Sequence, residues 1–363
     1  MQSIALIFFS FIFTPSKLRM ATRRTTIHDI AKELNMTAST VSRALNDHPK
    51  ISQATKILVQ NKAKEMNYTT NVLAASLRTG KAQTIGLVVP RINRVFISNT
   101  IAGIESVTNR AGYNIIICQS DEKQLKEEQN INTLINSRVD GIIMAISFGN
   151  NSAEHIERAR KEGIPVVQFD RIREDVPVSN VLNDNEEISY QAVKHLISQG
   201  YRRIVHFAGP QHINIYRQRF GGYKKALLEH GFEFDENLVF SEVLDKERGF
   251  QTFQQIIDNK LDVDAVFSAS DYSAMGALLA AKENNISIPE QLGIVGFANE
   301  PFTEFIDPSM TTIDQRAVEM GAEVARLILD EIENPSEVHN PQSITMNCKL
   351  IVRQSSNRLK VEY

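Results

Sequence analysis

Tryptophan is absent from the 363 residues, cysteine occurs only twice, and no apolar run approaches the ~20 residues that a bilayer-spanning helix needs. Cys118 and Cys348 cannot frame a disulfide scaffold in a chain this long. Both sit in strand-like apolar runs (IIICQ and MNCKL), and neither has a histidine or second cysteine nearby at metal-ligand spacing. Disulfide-rich, zinc-organised and membrane-bundle architectures are thereby set aside. A reduced, cytoplasmic protein without metal or cofactor is the simplest expectation. A composition of 42% hydrophobic and 23% charged residues is that of a globular chain, and its length at ~150 residues per domain suggests two to three domains.

Charge of one sign is scarce in one place. Residues 1–82 hold 12 Lys and Arg against 4 Asp and Glu, a net of +8, so the remainder carries −11 of the overall −3. A basic head on an acidic body points to an anionic partner for the head alone, with nucleic acid the first candidate. Residues 4–13 (IALIFFSFIF) form an apolar run preceded by nothing basic and followed by no A-x-A-like cleavage site, which argues against export. Met20 opens a better start, so residues 1–19 are expected to be an upstream extension, non-native or disordered. Counted from Met20 to Ala82, the head is still +6, from 10 basic and 4 acidic residues.

From Thr26 the residues Ile27, Ile30, Ala31 and Leu34 fall on one helical face, with Thr26 placed to cap it and Asp29 near its positive end. Asn35 is a plausible left-handed stop. Thr37 then caps a second helix that turns Val41, Ala44 and Leu45 inward and Ala38, Ser39, Ser42 and Arg43 outward. Two short helices joined by a tight turn, the second presenting small polar and basic side chains, predict a helix-turn-helix. A third helix, from Ser52 to about Asn67, would close the domain with Ile57, Ala63 and Met66 on its apolar side and Lys56, Lys62 and Lys64 exposed. A generic helical bundle with a solvated basic face is the plainer alternative. Next comes TTNVLAASLRTGK, with Asn71 as cap, an apolar patch of Val72, Leu73, Ala74 and Leu77, and Gly80 as stop: a helix too short to persist without a partner.

At this point the chain resembles the lactose/galactose-repressor family, in which a helix-turn-helix head is joined by a hinge helix to a sugar-binding-protein-like core. The resemblance implies a homodimer whose paired hinge helices insert a leucine into the operator minor groove. The matching residue is Leu77, with Ala74 as the small residue of the helix contact. Two departures stand out: Asn35 replaces the usual turn glycine, and Thr70 the usual proline before the hinge cap.

Beyond Lys81, β-branched runs at 84–90, 113–118, 141–145 and 164–170 alternate with helical stretches near 97–111, 123–137 and 152–162. The pattern repeats with strands at 203–209, 237–243, 265–270 and 292–298 and helices near 214–230, 246–259 and 271–284. Continuous apolar strands alternating with helices indicate parallel sheets covered on both faces. The expected fold is an all-α head with a hinge helix, followed by two doubly wound α/β lobes like those of periplasmic binding proteins. The expected segments are a head at 20–67, a hinge at 68–82, a first lobe at 83–182 plus 312–340, and a second at 183–311 plus 341–358. Further landmarks carry the resemblance: FDR at 169–171, RxxGY at 219–223, ASD at 269–271, and GFANEPF with DPSMTTIDQ across 296–315.

Ligands of such lobes bind beyond the carboxyl ends of the strands. Asp170, Asp271 and Asn299 stand at predicted strand ends, Arg219 opens toward the same mouth, and Phe96 is a candidate stacking face. Carboxylate, guanidinium and amide groups together suit vicinal sugar hydroxyls, which both donate and accept hydrogen bonds. The resemblance assigns this pocket to the same positions. Helix capping by Asp271, lid packing by Phe96 and a solvated loop position for Asp170 are the competing readings. Gly221 and Gly222 read as a close helix contact, and no nucleophile elbow or phosphate loop supports catalysis.

The expectation is a non-enzymatic, ligand-responsive repressor on a palindromic operator. Ala38, Ser39 and Arg43 would read bases, while Thr25, Thr37, Thr40 and Ser42 would serve phosphates or caps and Arg23 and Arg24 add attraction. No leucine-heptad tail suggests a tetramer. The rivals are a sugar-binding protein of an uptake system, a regulator with a purine or other nucleobase corepressor, and, last, an α/β enzyme of sugar metabolism.

Overall fold

The computed structural model describes residues 25–68, 81–149, 152–335 and 340–359. The chain divides into two units, 1–78 and 79–363.

In the first unit, α1 (Ile27–Glu33) begins with a capping box: Asp29 N–H donates to Thr26 Oγ1, and the Asp29 carboxylate accepts from Thr26 N at 2.8 Å. Asn35 ends the helix at φ 51°, a region asparagine tolerates. Thr37 then caps α2 (Ala38–Leu45), and Ser52 caps α3 (Gln53–Glu65). Ile30, Ala31, Val41, Ala44, Val59 and Ala63 form the core. The phase of α3 differs from expectation. Lys56 is buried, with its ammonium 2.7 Å from the Asp47 carboxylate, while Ile57 is exposed. The helix turns Lys56, Val59 and Ala63 inward, because the Asp47 partner lets a lysine stem serve as core filling.

The second unit is built on two parallel sheets and a short antiparallel pair of strands. In the first lobe β1 (Thr84–Val89), β2 (Asn114–Gln119), β3 (Gly141–Met144), β4 (Val166–Phe169) and β5 (Ser179–Asn183) alternate with α4 (Val95–Arg110), α5 (Gln124–Asn136) and α6 (Glu154–Lys161). In the second lobe α7 (Asn185–Ser198) precedes β6 (Ile204–Phe207), α8 (Asn214–Glu229), β7 (Val239–Phe240), α9 (Lys246–Asp258), β8 (Ala265–Ser268), α10 (Asp271–Glu283) and β9 (Gly293–Val295). There follow α11 (Phe302–Phe305), β10 (Thr312–Asp314), α12 (Ala317–Glu333), β11 (Ser343–Met346) and β12 (Lys349–Ile351). The sheets are ordered β11-β5-β4-β3-β1-β2 and β7-β6-β8-β9, every pairing parallel. Among the described residues, no helix is long and apolar enough to cross a membrane.

The connections between lobes correct the expected segmentation. Residues 341–358 were assigned to the second lobe, yet β11 pairs with β5 at the edge of the first sheet. Conversely, β10 was assigned to the first lobe, but it pairs antiparallel with β12, and Ile313 packs in the second-lobe core. The chain therefore crosses near Asp184, Gln315 and Asn347. These crossings lie side by side: Asn183 Nδ2 donates to Gln315 O at 3.1 Å, and Asp184 N to Met346 O at 3.0 Å. Strand β5, whose buried and half-buried residues alternate, escaped prediction because its SNVLN sequence is polar. The glycine pair meets expectation at Gly222, where a Cβ would lie 2.1 Å from Glu186 O and hold α8 off α7.

Candidate functional site

On the head, Ser39 and Arg43 are the exposed members of the predicted reading face, and Ala38, Thr40 and Ser42 are half-buried. Thr37 Oγ1 accepts from Thr40 N at 3.2 Å and lies 2.9 Å from both Ser39 Oγ and Thr40 Oγ1. Its hydroxyl thus satisfies the helix start and orients its neighbours. Thr25 has a structural task, donating to Met66 O at 2.8 Å to tie the start of the domain to the end of α3. Asn71, Ala74 and Leu77 lie outside the described residues, as do residues 1–24.

In the body a cleft of about 500 Å³ opens at the carboxyl ends of β1, β3, β4, β8 and β9 and takes lining residues from both lobes. Four of the five predicted effector residues line it: Phe96, Asp170, Arg219 and Asp271. Asn299 does not. Ala298 and Asn299 have φ of 119° and 50°, and the Asn299 side chain is turned toward Arg353, whose Nη2 donates to it at 3.2 Å. It lines a smaller neighbouring cavity instead.

Arg219 is buried, donating from Nε to Asn185 Oδ1 and from Nη1 to Ala269 O, each at 2.9 Å. Its guanidinium carbon stands 3.5 Å from the Phe297 ring centroid. Burial lowers its pKa, but an arginine in this setting stays charged. Asp170, also buried and at φ 57°, has an Oδ1 with no hydrogen-bond partner among the described residues. Burial raises its pKa against the pull of Arg171 and Arg219. Asp271 is not the cap of α10, because Ser270 accepts from Tyr272 N in that role. Its carboxylate accepts from Thr312 Oγ1 at 2.6 Å and Glu300 N at 2.8 Å, and burial pushes its pKa up to about 7 despite these bonds. Asp271 therefore braces the cleft wall, with both oxygens already engaged.

Other lining residues were missed. Arg171 stacks its guanidinium 4.2 Å from the Phe148 ring centroid and donates from Nη1 to Glu122 at 3.0 Å. Arg94 lies over Tyr272, bringing a first-lobe cation 4.8 Å from a second-lobe ring centroid. Buried Glu300 sits beside them, its pKa raised by burial and opposed by Arg94. Arg171 was visible as the last residue of FDR and Glu300 as part of GFANEPF; Glu122, Phe148 and Tyr216 carry no sequence signal of their own.

The head and the cleft together define a DNA-binding regulator with a separate small-molecule domain. Residues 26–71 match the lacI family of bacterial regulatory proteins, and residues 82–354 match the periplasmic binding proteins and sugar-binding domain of that family. The chain belongs to the lacI family. It is 33% identical over 334 residues to the transcriptional repressor CytR of Escherichia coli K12, covering 92% of this chain and 97% of that protein. It is 30% identical over 305 residues to catabolite control protein A of Priestia megaterium, covering 84% and 91%. Among solved structures, a complex of the regulator CelR with cellobiose shares 29% identity at TM-score 0.69, covering 92% of this chain and all (100%) of that one. The Lac repressor dimer bound to operator shares the fold, with TM-score 0.81 at 21% identity over 92% and 99% of the two chains. The protein is a transcriptional regulator and not an enzyme.

Proposed function

We propose that the protein is a cytoplasmic, homodimeric repressor of a palindromic operator, controlled by a sugar in the interlobe cleft. The carrying observation is the pairing of chemistries in one cleft: a fixed Arg219 fork backed by Phe297, and an Asp170 oxygen without a partner. Arginine donates to one hydroxyl oxygen of a vicinal diol, and the carboxylate accepts from the next hydroxyl. Phe96, Phe148, Tyr216 and Tyr272 supply apolar faces for the ring. CelR with cellobiose, and an Enterococcus faecium family member with bound ribose at 28% identity and TM-score 0.66, support a sugar over other polyols.

On the head, Ser39 and Arg43 take the base-reading role, with apolar contact from Ala38 to a thymine methyl. Thr37, Thr40 and Ser42 shape the helix start and approach phosphates, and at the hinge Leu77 enters the minor groove, with Ala74 at the contact of the paired helices and Asn71 as the cap. The second copy covers the edge of the first sheet, where Ile116 and Ile117 of β2 are exposed beside Ile92. Sugar binding shifts the lobes, and that shift alters the hinge spacing operator binding requires. Titration calorimetry with ribose, glucose, cellobiose, adenine and cytidine, paired with an operator shift assay, tests the reading. Heat from a sugar that also changes the shift upholds it, and heat from a nucleobase or nucleoside alone replaces the sugar. A replacement Ile117→Lys is expected to lower the dimer fraction in sedimentation velocity.

A further inference from the structure

Beneath the first-lobe wall of the cleft lies a buried pair that the sugar-binding reading does not use. Glu127, in the first turn of α5, and His155, in α6, are 0% and 1% exposed. Glu127 Oε1 stands 2.9 Å from His155 Nε2, and its Oε2 accepts from Ser147 N at 2.7 Å. The imidazole and the carboxyl group share this one hydrogen bond. Burying such a group is costly unless its oxygens are paired in good geometry, and here one is spent on His155 and the other on a loop amide.

The next amide along is held in the same way. Phe148 N donates to Glu122 Oε2 at 3.1 Å, so two carboxylates clamp consecutive N–H groups after β3. Phe148 lines the cleft, lies under Arg171, and faces Tyr216 of the second lobe with ring centroids 6.0 Å apart. Its carbonyl oxygen is 2.9 Å from His212 Nε2, also of the second lobe. One short segment thus carries a wall of the cleft and a direct contact between lobes. Glu127 itself is not among the residues that line the cleft.

We propose that Glu127, with His155 as its partner, is a positioning residue for the effector site: it fixes Ser147–Phe148, and through Phe148 the cleft wall and the contact with His212. The proposal rests on the cleft being the sugar site. Its test compares the full-length protein with Glu127→Gln, which keeps the shape and removes the carboxylate, and with His155→Gln, which removes the imidazole facing Glu127 Oε1. Hydrogen-exchange mass spectrometry without sugar should show at least tenfold faster exchange in the peptide spanning 145–149 of E127Q, with second-lobe sheet peptides unchanged. H155Q should give about threefold and carries the test alone if E127Q does not fold. Calorimetry with ribose, glucose and cellobiose should show at least tenfold weaker binding by E127Q of whichever sugar the unmutated protein binds, at an operator affinity within twofold. Exchange at 145–149 within twofold of the unmutated protein overturns the proposal. So does a lowered unfolding midpoint with unchanged sugar affinity of the folded protein, the signature of a merely structural pair. If none of the sugars binds the unmutated protein, the reading of the cleft falls, while the exchange result decides the role of Glu127 independently.

Discussion

The head and the body handle charge in opposite ways. On the head, Ser39 and Arg43 stand exposed on one short helix, ready for a partner that brings its own charge. In the body, Asp170, Arg219, Asp271 and Glu300 are all buried; neighbours already hold Arg219 and Asp271, while Asp170 keeps an oxygen without a partner among the described residues. Exposed groups can be altered with little structural consequence, whereas buried ones bind by virtue of the framework that holds them. Substitutions in the two regions should therefore separate cleanly, with effects largest where the charge is deepest.

The strongest separation is expected at Arg219. Arg219→Met should reduce sugar affinity at least ~100-fold, about 3 kcal/mol, because it removes the fork and takes the arginine donor from Asn185 Oδ1 and Ala269 O. Operator affinity without sugar should hold within twofold; a parallel loss of DNA binding would break the comparison. Arg219→Lys should not rescue, because an ammonium cannot reproduce the planar stack on Phe297.

Asp271 gives a test by pH. Its pKa is raised in the folded protein, to about 7 from 3.8, so between those values the native state binds more protons than the unfolded one. Its contribution is present below pH ~4 and is lost as pH rises toward 7, on the order of a few kcal/mol in unfolding free energy. Asp271→Asn should flatten that slope in denaturant titrations between pH 4 and 7. A slope unchanged by the substitution would mean that another group carries it.

On the head, Ser39→Ala is expected to weaken operator binding about tenfold, within the ~1–3 kcal/mol of a base-reading contact, and to leave sugar affinity alone. Leu77→Ala should have a similar effect through the hinge, measured at matched salt. The smallest effect is expected at Thr37→Ala, which removes a cap and should cost about 1 kcal/mol of head stability by thermal unfolding.

The same contrast explains what could be read in advance. Thr26, Thr37 and Ser52 mark helix starts because a cap acts on an amide two or three residues away, and Asn35 marks a stop because asparagine tolerates positive φ. Lys56 was misread because its burial depends on Asp47, whose ion pair no periodicity reports. In the body, Asp170 and Asp271 were found by their places at strand ends. Asn299 was assigned by the same rule, but positive φ at Ala298 and Asn299 turned it toward Arg353. Glu122 and Glu127 drew no assignment from the sequence, because the Phe148 and Ser147 amides they hold lie 20 or more residues away.

By itself the sequence determined the three-helix head, the alternation of parallel strands and helices, and the residue types facing the strand ends. These follow from side-chain periodicity and local capping, which act within a few residues. Only the tertiary structure decided that β11 completes the first sheet, that β10 and β12 pair across the lobe connections, and which buried groups keep an open valence toward the cleft. Those outcomes depend on groups far apart in the chain, because a buried donor or acceptor takes whatever partner the fold brings within about 3 Å.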